Sequence, residues 1–262
     1  MEHISIVVLQ YNHSDRTLTC LESLKGLSYA PLDIVVVDNG SDIEHYKNVD
    51  YWIKFNKAKN ITLLANTTNL GYSAGNNVGI QYALDHGADY VLVLNNDVVV
   101  MPNLLQKMLD AKADMVGGEQ GEALGHTYLS GAVLLIQKNV LQRIGLFDER
   151  FFLYYEDLEY SVRARKAGFV LKKIDGGFRH GVSATTSSLG PATLLYYHSR
   201  NALLYYAIHG SLRQRITLLF WRIFVTLKQH IKIALGRNAE ISRAIIEGFN
   251  DYDHGRFGMR KQ

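Results

Sequence analysis

The sequence predicts an α/β fold: a mainly parallel central sheet flanked by helices, followed by a helical C-terminal extension. Three features carry that expectation. Continuously apolar, β-branched runs alternate with helical segments up to about residue 118, the pattern of strands buried on both faces. Polar clusters close three of those runs, namely Tyr11-Asn12-His13, Asp38 to Ser41, and Asn95-Asn96-Asp97. Beyond about Leu194 the pattern turns helical.

Each element has its own local reason. Ile4 to Leu9 is an apolar run that reads as the first buried strand. Ser14 is placed to cap a helix whose Leu18, Leu21 and Leu24 share one face. Ile34 to Val37 and Ile61 to Ala65 read as the second and third strands. The run NLGYSAGNN (69–77) opens a helix through about His86. Tyr90 to Leu94 is the fourth strand, and Pro102 suits the start of the next helix. Ligands bind beyond the carboxyl ends of strands in such sheets, so the three polar clusters point at one crevice. Tyr128 to Ile136 reads as a single strand, and Lys138 to Gly145 as a short helix closed by glycine. FDERFFLYYEDLE (147–159) leads into a helix ending at Lys166-Ala167-Gly168. Phe169 to Ile174 is another strand, followed by a loop carrying His180.

Composition narrows the function. A chain of 262 residues suffices for one large α/β domain with an appendage. The net charge of +3 is too small for wholesale nucleic-acid binding, and no recognition motif accompanies it. No nucleic-acid partner is expected. The one cysteine, Cys20, excludes an internal disulfide and fits a cytoplasmic location. No basic segment precedes an apolar run at the N-terminus, so no signal peptide is expected. No apolar run reaches the roughly 18 residues of a membrane span.

Several residue groups admit both a functional and a structural reading. Asp97 at a strand's carboxyl end suits a hard divalent cation, which takes one or two carboxylates and completes its shell with phosphate and water. The same triplet also suits a turn. His180 is either a ligand or a structural histidine. Glu156 and Asp157 precede a helix, where acids favour the dipole, and either carboxylate could also act as a general base. The aromatics Phe151, Phe152, Tyr154 and Tyr155 could pack on a sugar or fill a core. The glycines at 71 and 75 permit close backbone approach, and the following helix N-terminus could meet a phosphate. Neither a dinucleotide fingerprint nor a P-loop is present.

Taken together, these segments resemble the family-2 inverting glycosyltransferases of GT-A fold, most closely the bacterial rhamnosyltransferase-like branch. The residues that carry the resemblance are VVVDNGS (35–41), NLGYSAGNNVG (69–79), GADYVLVLNND (87–97), YLSGA (128–132), GLFDE (145–149), FFLYYED (151–157) and HGVS (180–183). It spans roughly residues 4 to 202. It implies a GT-A nucleotide-sugar-binding and catalytic domain over 1–202 and a basic helical extension over 203–262. Residue by residue, it implies that Asp97 and His180 hold Mg2+ or Mn2+. Tyr11, Asp38, Asn39, Gly75, Asn76, Asn95 and Asn96 match positions around the donor. Asp157 matches the catalytic base, supported by Glu156. Asn95 departs from the family's two-acid metal motif and supplies only a neutral amide oxygen. The implied donor is dTDP-L-rhamnose, with UDP-sugars next, and the implied acceptor is a cell-surface glycan or a lipid-linked one. The rival readings are a nucleotidyltransferase on a similar sheet and a catalytically silent nucleotide-sugar-binding scaffold.

The C-terminal region needs separate treatment. Between Leu212 and Arg237 every full charge is positive: Arg213, Arg215, Arg222, Lys228, Lys232 and Arg237. They interleave with Ile216, Leu219, Phe220, Ile223, Leu227 and Ile231. A basic amphipathic helix of this kind can lie on an anionic membrane, here the inner face of the cell membrane through 211–237. The alternative is that its apolar stripe packs on the catalytic part or, in a homodimer, on a second copy.

Overall fold

The computed structural model describes residues 2–181 and 190–260. By its internal contacts the chain forms two compact units, residues 1–149 with 156–182, and residues 150–155 with 183–262.

The first unit is organised by a seven-stranded sheet. Its strands are β1 (Ile4–Gln10), β2 (Leu32–Asp38), β3 (Ile61–Ala65), β4 (Tyr90–Asn95), β6 (Met115–Gly117), β9 (Val133–Gln137) and β10 (Leu171–Lys173), in the order β10-β6-β9-β4-β1-β2-β3. All neighbours run parallel except β9, which is antiparallel to both β4 and β6. Alternation explains why the central strands are almost wholly apolar. Ile6, Val8, Val36, Leu92 and Leu94 face helices α1 (Ser14–Leu24), α2 (Ile43–Phe55) and α4 (Leu104–Asp110). Val7, Val35, Val37, Val91 and Val93 face α3 (Gly71–Asp85), α5 (Lys138–Ile144) and α6 (Glu156–Lys166). Both faces are therefore dry, and each buried Val, Leu or Ile contributes about 1.5–3 kcal/mol. Gly75 and Gly79 let α3 lie close to the sheet. A methyl group at Gly79 would run into Val7 and Val37, and one at Gly75 would run into Leu9 and Asn39.

Register sets the polar edge. Gln10 pairs with Asp38, Leu9 with Asn95 and Asp38 with Ala65, so the strand-end clusters share one rim.

Three expectations need correction. Ser14 is the first helical residue and not the cap. His13, in the left-handed region, holds that position, and the Ser14 hydroxyl instead meets His45 Nδ1 at 3.0 Å. The run from Tyr128 to Ile136 is two strands, β8 (His126–Leu129), hairpin partner of β7 (Gln120–Ala123), and β9, parted at residues 130–132. There the backbone leaves the hairpin: the Asn95 N–H donates to the Ala132 carbonyl and the Ser130 N–H to that of Glu119. His180 belongs to a strand, β11 (Phe178–His180), not a loop. It pairs antiparallel with β5 (Val98–Val100).

The second unit consists of α7 (Gly190–His209), α8 (Leu212–Ala234) and α9 (Ala239–Asp253) with the segment 150–155. Its core holds Phe152, Tyr196, Tyr197 and Ala244. Arg200 is fully buried among Tyr196, Tyr197 and Phe257, and it donates to the Gly258 carbonyl at 2.7 Å. Ser211 and Gln214 form a capping box at the start of α8.

Candidate functional site

Asp97 ends the polar triplet between β4 and β5. The β5–β11 ladder sets His180 opposite Val98, and the Gly181 N–H donates to the Asp97 carbonyl at 3.0 Å. The two side chains are thereby brought together: His180 Nε2 lies 3.2 Å from Asp97 Oδ1. That is an ion-pair distance without hydrogen-bond geometry, and neither atom has a hydrogen-bond partner. Glu119, a residue that sequence reasoning missed, holds the other ring nitrogen, with Oε1 3.0 Å from Nδ1. Asp97 and, less strongly, Glu119 push the imidazole up to about 9 against the opposing effect of burial. A cavity of about 240 Å³ opens beside Asp97, lined in part by Asp15, Arg16 and Asn96.

Among the described residues no group of three His, Cys, Asp or Glu side chains converges as a metal cage. The donor chemistry nonetheless fits a divalent cation with two protein ligands. One carboxylate oxygen and one imidazole nitrogen are buried and meet only each other, and a carboxylate orients the ring from its far side, as it commonly does for metal-binding histidines. The HGVS segment continues into Val182 and Ser183, which lie outside the described residues.

The predicted donor-side residues line the same rim with different degrees of freedom. Tyr11 follows β1 and is exposed. Asp38 accepts from Gln10 Nε2 at 2.9 Å and from the Ser41 N–H at 3.0 Å. Asn39 is engaged on both sides of its amide: it donates to Asn69 Oδ1 and the Gly71 carbonyl, and accepts from Asn66 Nδ2 and the Leu70 N–H. It therefore braces the entry to α3. Asn76 is fully buried, and its Nδ2 donates to the Tyr72 carbonyl while its Oδ1 has no partner. Asn96 donates to Thr17 Oγ1 at 3.0 Å. Asn95 is joined to the Ala132 carbonyl through its backbone N–H. Gly75 approaches the sheet closely.

Glu156 and Asp157 open α6, where three acids complement the helix dipole. Burial pushes the Asp157 carboxyl up to about 6, opposed by N–H donation from Leu158 at 2.7 Å and from Gly131 at 3.4 Å. Burial, then the neighbouring Asp157 charge, hold the Glu156 carboxyl well above the usual carboxylate range. Glu156 Oε2 is buried without a hydrogen-bond partner. Of the pair, Asp157 is the carboxyl that gives up its proton near neutrality, as a general base must, while burial and its neighbour make Glu156 the more reluctant to ionise.

Comparison with known proteins gives this arrangement a family. The model for "Glycosyl transferase family 2" matches residues 5–162. A low-salt glycan biosynthesis hexosyltransferase from Haloferax volcanii is 25% identical over 205 residues, covering 63% of this chain and 62% of that protein. An N-acetylglucosaminyl-diphospho-decaprenol L-rhamnosyltransferase from Mycobacterium tuberculosis is 23% identical over 94% of this chain and 98% of its own length. Among solved structures, a mannosyltransferase from Pyrobaculum calidifontis in complex with GDP-Man and Mn2+ superposes with a TM-score of 0.58 at 14% identity, covering 97% of this chain and 87% of that one. Staphylococcus aureus TarS 1–349 in complex with UDP-GlcNAc gives 0.55 at 15% identity, covering 98% and 93%. The sheet and its flanking helices are those of the GT-A glycosyltransferases. The chain belongs to glycosyl transferase family 2.

Proposed function

We propose that the chain is an inverting hexosyltransferase that moves a sugar from a nucleoside diphosphate sugar to a hydroxyl of a cell-surface glycan or lipid-linked acceptor. The observation that carries the reading is a set of orphaned atoms. Asn76 Oδ1 and Glu156 Oε2 are buried without hydrogen-bond partners, Asp97 Oδ1 and His180 Nε2 are buried and meet only each other as an ion pair, and all four belong to residues assigned to the site by motif. Buried polar groups are rarely left unpaired, so a polar ligand is the natural partner. The L-rhamnosyltransferase relative supports a rhamnosyl donor, for which we take dTDP-rhamnose first and UDP-sugars next.

In this reading, Asp157 accepts the proton of the acceptor hydroxyl. The acceptor oxygen forms a bond to the anomeric carbon as the bond to the diphosphate breaks on the opposite face, inverting the configuration. Glu156, the more reluctant of the pair to ionise, supports acceptor binding or the base. Asp97 and His180 would hold Mg2+ or Mn2+, which supplies charge neutralisation at the diphosphate when bound. The test is a panel of dTDP-, UDP- and GDP-sugars with divalent metal, following nucleoside diphosphate release. No release with any donor, and no thermal shift from any nucleotide, refutes the reading.

A peripheral position on the inner face of the cell membrane accompanies a lipid-linked acceptor. Its support is α8, which exposes Leu212, Ile216, Leu219, Phe220, Leu227 and Ile231. No helix among the described residues is long and apolar enough to cross a membrane. Two of the six basic residues are engaged inside their own unit: Arg215 bonds the last carbonyls of α7, and Arg222 pairs with Asp253. Arg213, Lys228, Lys232 and Arg237 remain to meet anionic headgroups. Packing two copies of α8 face to face would instead bring like charges together. Flotation with phosphatidylglycerol vesicles should carry the full-length chain upward and leave F220E/L227E behind. Equal flotation of both removes α8 from that role.

A further inference from the structure

We propose that Tyr72 is a positioning residue for the base: through Gly131 it fixes the loop that joins the Asp157 carboxylate to the polar rim of the sheet. The inference rests on the reading of Asp157 as base. Every contact it uses lies in the first unit.

The loop is residues 130–132, between β8 and β9. Besides the Ser130 N–H bond to the Glu119 carbonyl, its backbone makes three bonds that matter here, in different directions. The Gly131 N–H reaches Asp157 Oδ2 at 3.4 Å, a long contact that depends on loop position. The Ala132 carbonyl accepts the Asn95 N–H at 2.9 Å, tying the loop to the triplet that ends in Asp97. The Gly131 carbonyl accepts the Tyr72 hydroxyl at 2.7 Å, a tight bond from the first turn of α3. The Tyr72 ring in turn packs against Phe147, centroid to centroid 6.4 Å. Tyr72 also dictates the residue it holds, because a Cβ on Gly131 would lie 2.5 Å from its hydroxyl oxygen. Burial first, and then the carboxylates of Glu156 and Asp157, raise the Tyr72 hydroxyl well above its ordinary range, so it stays a donor at all working pH values.

The consequence is chemical as well as steric. An N–H donated to a carboxylate favours its charged form. Releasing the Tyr72 bond lets the loop drift, lengthens an already long contact and leaves Asp157 both misaimed and easier to protonate. The titratable groups that face Asp157 are Glu156 on its own helix, Tyr72 on α3 and Tyr128 on β8. The two tyrosines stay neutral near pH 7, so loss of one hydroxyl adds no charge.

The experiment is Tyr72→Phe, which keeps the ring and its packing. The Asp157 carboxyl carbon is titrated by 13C NMR, assigned by its absence in D157N, so no substrate is needed. The midpoint should rise in Y72F. Turnover, followed as nucleoside diphosphate release from the best donor of the panel, should fall about tenfold or more in kcat with donor KM unchanged. Gly131→Ala, which keeps the hydroxyl but displaces the loop, should show the same pair of effects and stands in should Y72F not fold. An unmoved midpoint, or a fall in kcat without a shift, overturns the positioning role. Retained turnover in D157N would instead overturn the base, and the two failures are separately visible.

Discussion

Asp157→Asn should inactivate the enzyme while making it more stable near neutral pH. Burial raises the Asp157 carboxyl from 3.8 to about 6. The folded chain therefore keeps this proton to higher pH than the unfolded chain does. That contribution to stability is complete below the unfolded value and is lost as pH rises through about 6. Two pKa units correspond to about 3 kcal/mol. Asparagine never carries the charge, so it escapes this loss. It does sacrifice something, because one of the two N–H donors, on Leu158 or Gly131, would then face an amide NH2, at a cost of about 1 kcal/mol. The helix N-terminus loses a favourable charge worth a few tenths more, about 0.5 kcal/mol. The net expectation is a gain of about 1–2 kcal/mol at about pH 7.5, vanishing or reversing at about pH 4. Urea unfolding of both proteins at the two pH values measures it, and release of nucleoside diphosphate measures the loss of turnover, about 100-fold or more for a general base. A stability difference that is the same at both pH values would show that Asp157 carries no buried charge. Undiminished turnover would end its role as base.

Other outcomes follow from the same contacts. The acid limb of kcat/KM should fall as pH drops through about 6, tenfold per unit, because the base must be ionised; a limb below pH 4 would contradict this. Asp97→Asn and His180→Ala should each abolish the thermal shift given by Mn2+ with dTDP or UDP, and Glu119→Gln should weaken Mn2+ binding about 10-fold or more by freeing the ring. Gly79→Ala should destabilise by about 1–3 kcal/mol, read as a lower urea midpoint, since its methyl group would crowd Val7 and Val37 where α3 crosses the sheet.

What the sequence made legible was whatever acts through side-chain pattern. β1, β2 and β4 were readable to within two residues because a strand buried on both faces is apolar at nearly every position, and the half-buried edge strand Ile61–Ala65 was readable to the residue because only Thr62 interrupts its apolar run. The pairing of His180 with Asp97 was not readable. It depends on a three-residue strand whose only reason to exist is its partner 80 residues away, and backbone pairing leaves no periodicity in so short a run. Glu119 was hidden for a related reason, since its contribution is a contact to His180 and not a motif. The C-terminal helix misled in a different way. Its charges could be counted, but Arg215 and Arg222 turned out to hold their own unit together. The loop at 130–132 shows where legibility stops. Its N–H and C=O groups do the work, and any residue has those. Only the space denied to a side chain by the Tyr72 hydroxyl singles out Gly131, so the glycine is visible in the sequence while the reason for it lies 59 residues earlier in the chain.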